Sequence, residues 1–223
     1  MKKTILDDGS YPYLTEGVDL VGDPGIPMLL DIDNTQVPKG LIAFEKAKLP
    51  GQNKRQYVHF YMHDKYFSDI LTATKKYVDL LKTYDGVITP DCSLLIGQSK
   101  YIQEVNTYFN RAVGCFLQKE GIPVIPNIRW SDESSFEFCF LGVPKHKIVS
   151  VSTHGCIRSK EQKRIFREGL KAMIKELEPS DVLVHGYMPA AVFEGLGQYT
   201  TFHRYPSLFE QTHKKEENDG NRI

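Results

Sequence analysis

The chain has 223 residues, 41% hydrophobic and 25% charged, and its 28 Lys and Arg balance its 28 Asp and Glu. That is globular composition with enough length for one good core, and a neutral chain lacks the overall basic footprint of a dedicated nucleic-acid binder, though not a local basic stripe. The cysteines at 92, 115, 139 and 156 form no C-x-x-C pair, no apolar run reaches the ~18 residues of a membrane span, and no apolar segment follows the basic start MKK, so we expect a cytoplasmic protein with reduced thiols and no membrane partner.

In chain order, residues 1–25 are turn-rich (DDGSYPY, GDPG) and are expected to wrap the surface. Residues 26–208 are expected to form a single α/β domain, and 209–223 a flexible polar tail. LIAF (41–44) and YVHFYM (57–62) read as strands. Phe67, Ile70, Leu71, Thr74, Tyr77, Val78 and Leu81 recur at helical spacing and predict one helix over 65–83. GVIT (86–89) reads as a strand. A helix over 99–119 follows, with Ile102, Val105, Phe109, Val113, Phe116 and Leu117 on its inner face. IPVIPNI (122–128) and KIVSVS (147–152) read as strands. Ser159 and Gln162 form a capping-box pattern that opens a helix over 160–177, and Pro179 ends it. DVLVHG (181–186) and YTTFH (199–203) complete the series. Strands alternating with helices imply βαβ units and a mainly parallel sheet, either a small irregular (β/α) barrel or an open doubly wound sheet.

The stretch DIDNTQV (31–37) follows Leu29-Leu30 and imitates the first motif of a haloacid-dehalogenase phosphotransferase. No later strand end supplies the acidic pair that would hold magnesium. No long helix follows Thr35, because QVPKG leads straight into LIAF. Asp and Asn in this spacing make good turns, and we read Asp31 and Asp33 as turn residues.

Parallel α/β folds bind ligands beyond the carboxyl ends of their strands. Five successive strand ends here are polar. They carry His63 and Asp64; Asp91 and Ser93; Asn127, Arg129 and Trp130; Thr153, His154 and Cys156; and His185 and Tyr187. The opposite ends (TYD, KEG, PKH, EPS) are plain turns. This asymmetry predicts one pocket, with Asp91 and His154 as acid–base groups. Ser93, Asn127, Arg129, Trp130, Cys156, His185 and Tyr187 are its expected binding residues. Each also has a structural reading: Asp91 as a turn cap, Arg129 and Trp130 as a stack, Cys156 as a buried thiol. His59 and His63 lie about 13 Å apart on a strand at ~3.3 Å per residue, too far to chelate one ion; His63, His154, His185 and Asp91 from different strands could do so, but we assign no metal site, and the sequence names no cofactor. The helix at 160–177 carries Lys160, Lys163, Arg164 and Arg167 opposite its apolar stripe, a face read as solvated or phosphate-binding.

The runs YDGVITPDCSL, NTYFNRAVGCFLQKEGIPVIPNIRW, FEFCFLGVPKHKIVSVSTHGC and LEPSDVLVHGY together resemble a known family. It is domain of unknown function 4417, found in bacteria, phages and mobile elements. The likeness spans roughly residues 26–205, with Asp91, Ser93, Asn106, Arg111, Asn127, Arg129, Trp130, Gly155 and Gly186 at matching positions. Cys92 stands where the family pattern has an aromatic residue. The resemblance implies a phage or mobile-element setting and no particular reaction. Two functions remain open: a strand-end pocket for a nucleotide or nucleic-acid phosphate, with or without hydrolytic chemistry, or a non-enzymatic protein that binds and inhibits a host or defence protein.

Overall fold

The computed structural model describes residues 11–207 and Glu210. The tail expected over 209–223 therefore lies outside the described residues except at Glu210, as does the start of the 1–25 segment. From Tyr11 the chain makes a 3-10 turn and a small antiparallel hairpin, β1 (Leu20–Val21) with β2 (Ile26–Pro27). Leu14, Ile26 and Leu29 are buried, and Leu30 exchanges backbone bonds with the Gln118 amide, its N–H donating at 2.8 Å and its carbonyl accepting at 3.1 Å.

The main chain then runs through β3 (Leu41–Ala43), α1 (Phe44–Ala47), β4 (Tyr57–His59), α2 (Ser68–Thr72), α3 (Val78–Leu81), β5 (Gly86–Ile88), α4 (Lys100–Lys119) and β6 (Val124–Ile125). It continues through α5 (Phe136–Cys139), β7 (Ile148–Ser152), α6 (Lys160–Leu177), β8 (Asp181–His185), α7 (Ala190–Phe193) and β9 (Thr201–Tyr205). Strands β3 to β6 form one parallel sheet in chain order, and β7 to β9 form another. A parallel bridge between Asn127 and Ser150 joins them, with Ile128 N–H donating to the Ser150 carbonyl at 2.8 Å. The expected α/β architecture with parallel strands at 86–89, 122–128, 147–152 and 181–186 is what the structure shows.

The period-2 alternation explains how the sheet curls. Val58, Val87, Val149, Val151, Val182 and Val184 point outward, against the helices. Tyr57, Ile88, Ile125 and Leu183 point inward and pack together, with Leu41, Ile148 and Tyr205 beside them. Residues from β4 and β8 meet inside: the His59 and His185 rings lie 4.8 Å apart. The Tyr205 hydroxyl donates to the Pro38 carbonyl, just before β3, at 2.6 Å. No strand ladder joins β3 to β9 among the described residues, so the sheet is rolled but not closed as a barrel.

Two helix expectations change. The segment 65–83 is a 3-10 turn, α2, a second 3-10 turn and α3, not one helix. Its break lies at Ala73, with φ −136° and ψ 40°. Next to it the Thr74 hydroxyl donates to the Ile70 carbonyl at 2.5 Å, a local side-chain bond of the kind that competes with the helical ladder. In α4 the predicted apolar face holds only in the C-terminal half, where Val113, Phe116 and Leu117 are buried. Ile102 and Val105 are exposed, while Gln103, Thr107, Asn110 and Arg111 face inward. Apolar periodicity cannot find a helix face that is buried because it is polar and bonded to strand ends. By contrast α6 matches its predicted span, with both halves of the Ser159–Gln162 capping box formed.

Trp130 packs edge-on into α6 where Gly169 leaves room, and a Cβ at 169 would stand 2.1 Å from the indole nitrogen. Gly169→Ala is expected to destabilise the fold by about 1–3 kcal/mol through overpacking, whereas Gly197→Ala, which meets nothing within 4 Å, should stay within about 0.5 kcal/mol. Urea unfolding midpoints of the two variants check this.

Candidate functional site

The carboxyl edge of the rolled sheet is built around Asn127, two residues past β6. Its backbone N–H donates to the Thr89 hydroxyl at 2.7 Å, its side-chain oxygen accepts from the Tyr61 hydroxyl at 3.1 Å, and its amide donates to Asp91 at 2.8 Å. Its carbonyl accepts from the Asn110 amide and from the Arg111 guanidinium, both at 3.1 Å. Arg111, only 1% exposed, also donates to the carbonyls of Leu141 (3.0 Å) and Cys139 (2.8 Å). Burial lowers its pKa to about 10.

Asp91 sits beside this hub. Burial pushes its carboxyl up, against the opposing pull of Arg129 and the Asn127 hydrogen bond. Its second oxygen lies 3.6 Å from an Arg129 terminal nitrogen, an ion contact longer than a hydrogen bond. Asp64, from the end of the β4 strand region, takes the Ser93 backbone N–H at 3.0 Å and the Ser93 hydroxyl at 2.8 Å. Ser93 in turn receives the Asn106 amide on its carbonyl at 2.6 Å.

Arg129 differs from Arg111. Its Nε is fully buried with no hydrogen-bond partner, although its side chain is 20% exposed and lines a cavity. Burial opposes its charge, but Asp91, Cys156 and Asp64 together raise its pKa. The cavity is ≈ 290 Å³, between the Leu94–Ile96 turn and the amino-terminal half of α6, with Ser131, Ser152, Gly155 and Cys156 on its wall. Gln162, Ile165 and Phe166 close its helical side.

The predicted residues therefore separate into groups. Asp91, Asn127 and Arg129 converge. Arg129, Trp130 and Cys156 line the cavity, but Trp130 is buried against Phe166, with ring centroids 5.0 Å apart, and presents an edge rather than an open face. The Cys156 thiol is pushed up by burial, which disfavours a thiolate nucleophile. His154 is exposed, and its backbone N–H donates to the Ser152 hydroxyl at 3.2 Å. His185 is linked to the same hydroxyl through Nδ1 at 3.2 Å, yet it points into the rolled sheet. There it stacks on Tyr61 with centroids 4.5 Å apart and an interplanar angle of 18°. Tyr187 is exposed, with Arg204 5.9 Å from its ring. Gly186, at φ 108°, lets the chain turn off β8 against Thr153, where a Cβ would meet the hydroxyl at 2.6 Å.

Tyr61, Asn110 and Ser152 enter the arrangement without a signal in the apolar sequence pattern, and Gln162, expected only as half of a capping box, also lines the cavity. Tyr61 and Ser152 were legible in principle, since each is an inward-facing polar residue in or next to a strand. Asn110 lies on α4, where the apolar stripe drew attention away. Among the described residues no cluster of three or more His, Cys, Asp or Glu could hold a metal ion. Asp31 and Asp33 lie far from this edge. Both pair with Lys147 just before β7, at 2.6 and 2.5 Å, and both are exposed.

A rolled parallel α/β sheet with a polar carboxyl edge and a small cavity beside it is thus the class of this molecule. The chain belongs to the family described as Domain of unknown function (DUF4417), whose sequence profile matches residues 18–206. It is 34% identical over 131 residues to the Gene 1 protein of Mycobacterium phage L5, covering 59% of this chain and 57% of that protein. It is 28% identical over 159 residues to the Gene 1 protein of Mycobacterium phage D29, covering 68% of this chain and 57% of that protein. The chain thus spans less than two thirds of either relative. No solved structure matches it. The phage association expected from the sequence is shown. Among the described residues no helix is long and apolar enough to cross a membrane.

His59 and His185 carry a stability prediction. Burial and the neighbouring His154 lower the His185 pKa from 6.5 to about 4, and burial and His185 hold His59 well below its ordinary value. Between about 6.5 and 4 the unfolded chain binds protons at these imidazoles that the native state refuses. Stability should then fall as pH drops through that window, by roughly 2–3 kcal/mol for His185. Asp91, with a raised carboxyl pKa, acts in the opposite sense and blunts the fall. His185→Phe, which keeps the stack on Tyr61, should flatten the pH dependence of the urea midpoint between pH 7 and pH 4.5.

Proposed function

We propose that the cavity beside Arg129 binds a small anionic ligand of the nucleotide class. The observation that carries this reading is the contrast between two arginines. Every nitrogen of Arg111 donates to an acceptor, whereas the Arg129 Nε is buried without a partner and the rest of its guanidinium has the Asp91 ion contact at 3.6 Å and the Cys156 thiol beside it. A buried donor without a partner costs roughly 1–3 kcal/mol, and a guanidinium left this incompletely bonded, with part of its surface on a cavity wall, favours an acceptor supplied from outside. A phosphate or carboxylate matches a guanidinium fork in geometry and charge. The volume lies near the lower edge of the ~300–1,000 Å³ of ligand pockets, which suits one nucleotide or less. Leu94, Ile96, Ile165 and Phe166 offer apolar walls to a flat base. Asp91, Asn127 and Ser93 then act as the scaffold that fixes Arg129, and His154 stands at the exposed rim.

A hydrolytic step would draw on Asp91, the buried carboxyl nearest the guanidinium, with His154 as its acid–base partner. Its sign would be a loss of turnover in Asp91→Asn far larger than the accompanying loss of binding. We place the activity in the cytoplasm of a cell carrying the phage or mobile element. All four cysteines are free thiols, in keeping with a reducing compartment.

A second reading rests on another surface. Leu95, Ile96, Tyr101, Ile102 and Val105 are all exposed on the turn before α4 and on its first two turns, an apolar patch of the kind that marks protein contacts. This favours the interaction protein that binds a host or defence protein.

Nucleoside monophosphates at about 100-fold their dissociation constant are expected to stabilise the wild type by about 2.7 kcal/mol, a rise of roughly 5–10 °C in Tm. Arg129→Ala should remove that rise while the protein remains folded, and Asp31→Asn should leave it intact. A thermal-shift screen in which no nucleotide moves the wild type, or in which Arg129→Ala responds like wild type, would sink the proposal.

A further inference from the structure

We propose that the cavity receives the phosphorylated end of a single-stranded nucleic acid. Its terminal nucleotide sits at Arg129, and the following nucleotides cross the rim formed by Tyr101, Arg158 and Lys160. This deepens the ligand reading above and rests on it.

The cavity is too small for more than one nucleotide, yet the groups around its mouth continue the same chemistry outward. On one side the turn at Leu95 and Ile96 lines the cavity and leads directly into α4. Both side chains are exposed, and Tyr101 in the first turn of α4 is 77% exposed. Tyr101 follows the cavity-lining Ile96 by five residues, and an exposed aromatic ring is a platform on which bases stack with little regard to sequence. The turn is held in shape: Gln98 N–H donates to the Leu95 carbonyl at 3.0 Å, and the Gln98 side chain accepts from Leu95 N–H at 3.4 Å.

On the other side, the loop from β7 to α6 carries Arg158 and the helix opens with Lys160, both exposed. Further along α6, Arg164 pairs with Glu161 and Lys171 with Glu168, whereas Lys163 has no carboxylate partner among the described residues. No carboxylate pairs with Arg158 or Lys160 among the described residues. Arg158 lies close enough to the cavity for its charge to act on the Cys156 thiol in the wall. Its backbone is fixed, because its N–H donates to the Gln162 side chain at 2.9 Å, and Gln162 itself lines the cavity. Arg158, without a carboxylate partner, thus stands by the Cys156–Gln162 side of the cavity, and the Leu95–Ile96 side is exposed, apolar and continues to Tyr101. That combination of cationic and stacking groups is what a single strand requires, whereas an apolar protein partner would gain nothing from unpaired cations.

The test is fluorescence anisotropy on the full chain with labelled single strands of about ten nucleotides, as DNA and as RNA, each with and without a terminal phosphate. A blunt duplex is run alongside, and a nucleoside monophosphate is titrated by calorimetry. A phosphorylated single strand of one backbone or the other should bind roughly 10-fold or more tightly than the monophosphate, and loss of its terminal phosphate should cost a similar factor. The double variant Tyr101→Ala, Arg158→Ala should bring strand affinity down towards that of the monophosphate and leave monophosphate binding unchanged. Arg129→Ala should weaken both. A strand that binds no tighter than the monophosphate overturns this inference and leaves the pocket reading standing. Binding of neither overturns both. Strand binding indifferent to the terminal phosphate and to Arg129, or strand affinity unchanged in the double variant, also overturns the inference.

Discussion

Arg111 is a buried cation with no carboxylate paired to it among the described residues, and the carboxyl edge of the sheet is organised by the acceptors that it needs. Those acceptors are the carbonyls of Asn127, Cys139 and Leu141, together with the side-chain oxygen of Asn110. One guanidinium thereby ties α4 to the end of β6 and to the segment that leaves α5. Burying a charge without such bonds is prohibitive, so the polar inner face of α4 and the irregular backbone after β6 have to form together. Asn110 extends the same network by donating to the Pro90 carbonyl at 2.7 Å, which fixes the approach to Asp91.

From this hub the polar residues of the strand ends divide by the face they leave from. Asn127 and His185 continue the inward series of Ile125 and Leu183 and become part of the interior. Ile128 and Trp130 fall on the outward series and pack with Phe166 and Leu170 of α6. Arg129 has an inward register but lies where the strand has already ended. It reaches Asp91 on one side and the cavity on the other. That position accounts for its incomplete bonding, since neither the strand ladder nor the α4 network extends so far.

The interior itself is unusually polar for its size. Tyr61 bonds both Asn127 and the Ser150 hydroxyl, the latter at 2.5 Å, and its ring stacks on both His59 and His185. These contacts let a sheet that is not closed by a strand ladder hold its curvature by side-chain bonds across the middle. The Ser152 hydroxyl lies between this interior and the outer loop, within 3.2 Å of both the His185 ring and the His154 backbone. Interior packing and loop position are therefore linked through one small side chain.

Much of this was legible in local pattern. The succession of strands, their parallel sense and the span of α6 follow from apolar periodicity, capping residues and the short distances along the chain over which those signals act. The polarity of the strand ends was equally plain, because it needs only the boundary of each apolar run. Which of those polar groups share a pocket was not. Strand ends alternate between two faces, and the face is set by where each strand begins and by how the sheet rolls. The burial of Gln103, Asn110 and Arg111 is invisible for a related reason: each has partners far along the chain, 16–30 residues away for the carbonyls that hold Arg111, 17 for the Asn127 carbonyl on Asn110 and 28 for Ser131 on Gln103. The sequence by itself determined the α/β class, the succession of strands and helices along the chain and the polar edge. The tertiary structure alone decided that Arg111 is saturated and Arg129 is not, because hydrogen-bond completeness depends on acceptors brought together only when the sheet has rolled and α4 has docked against it.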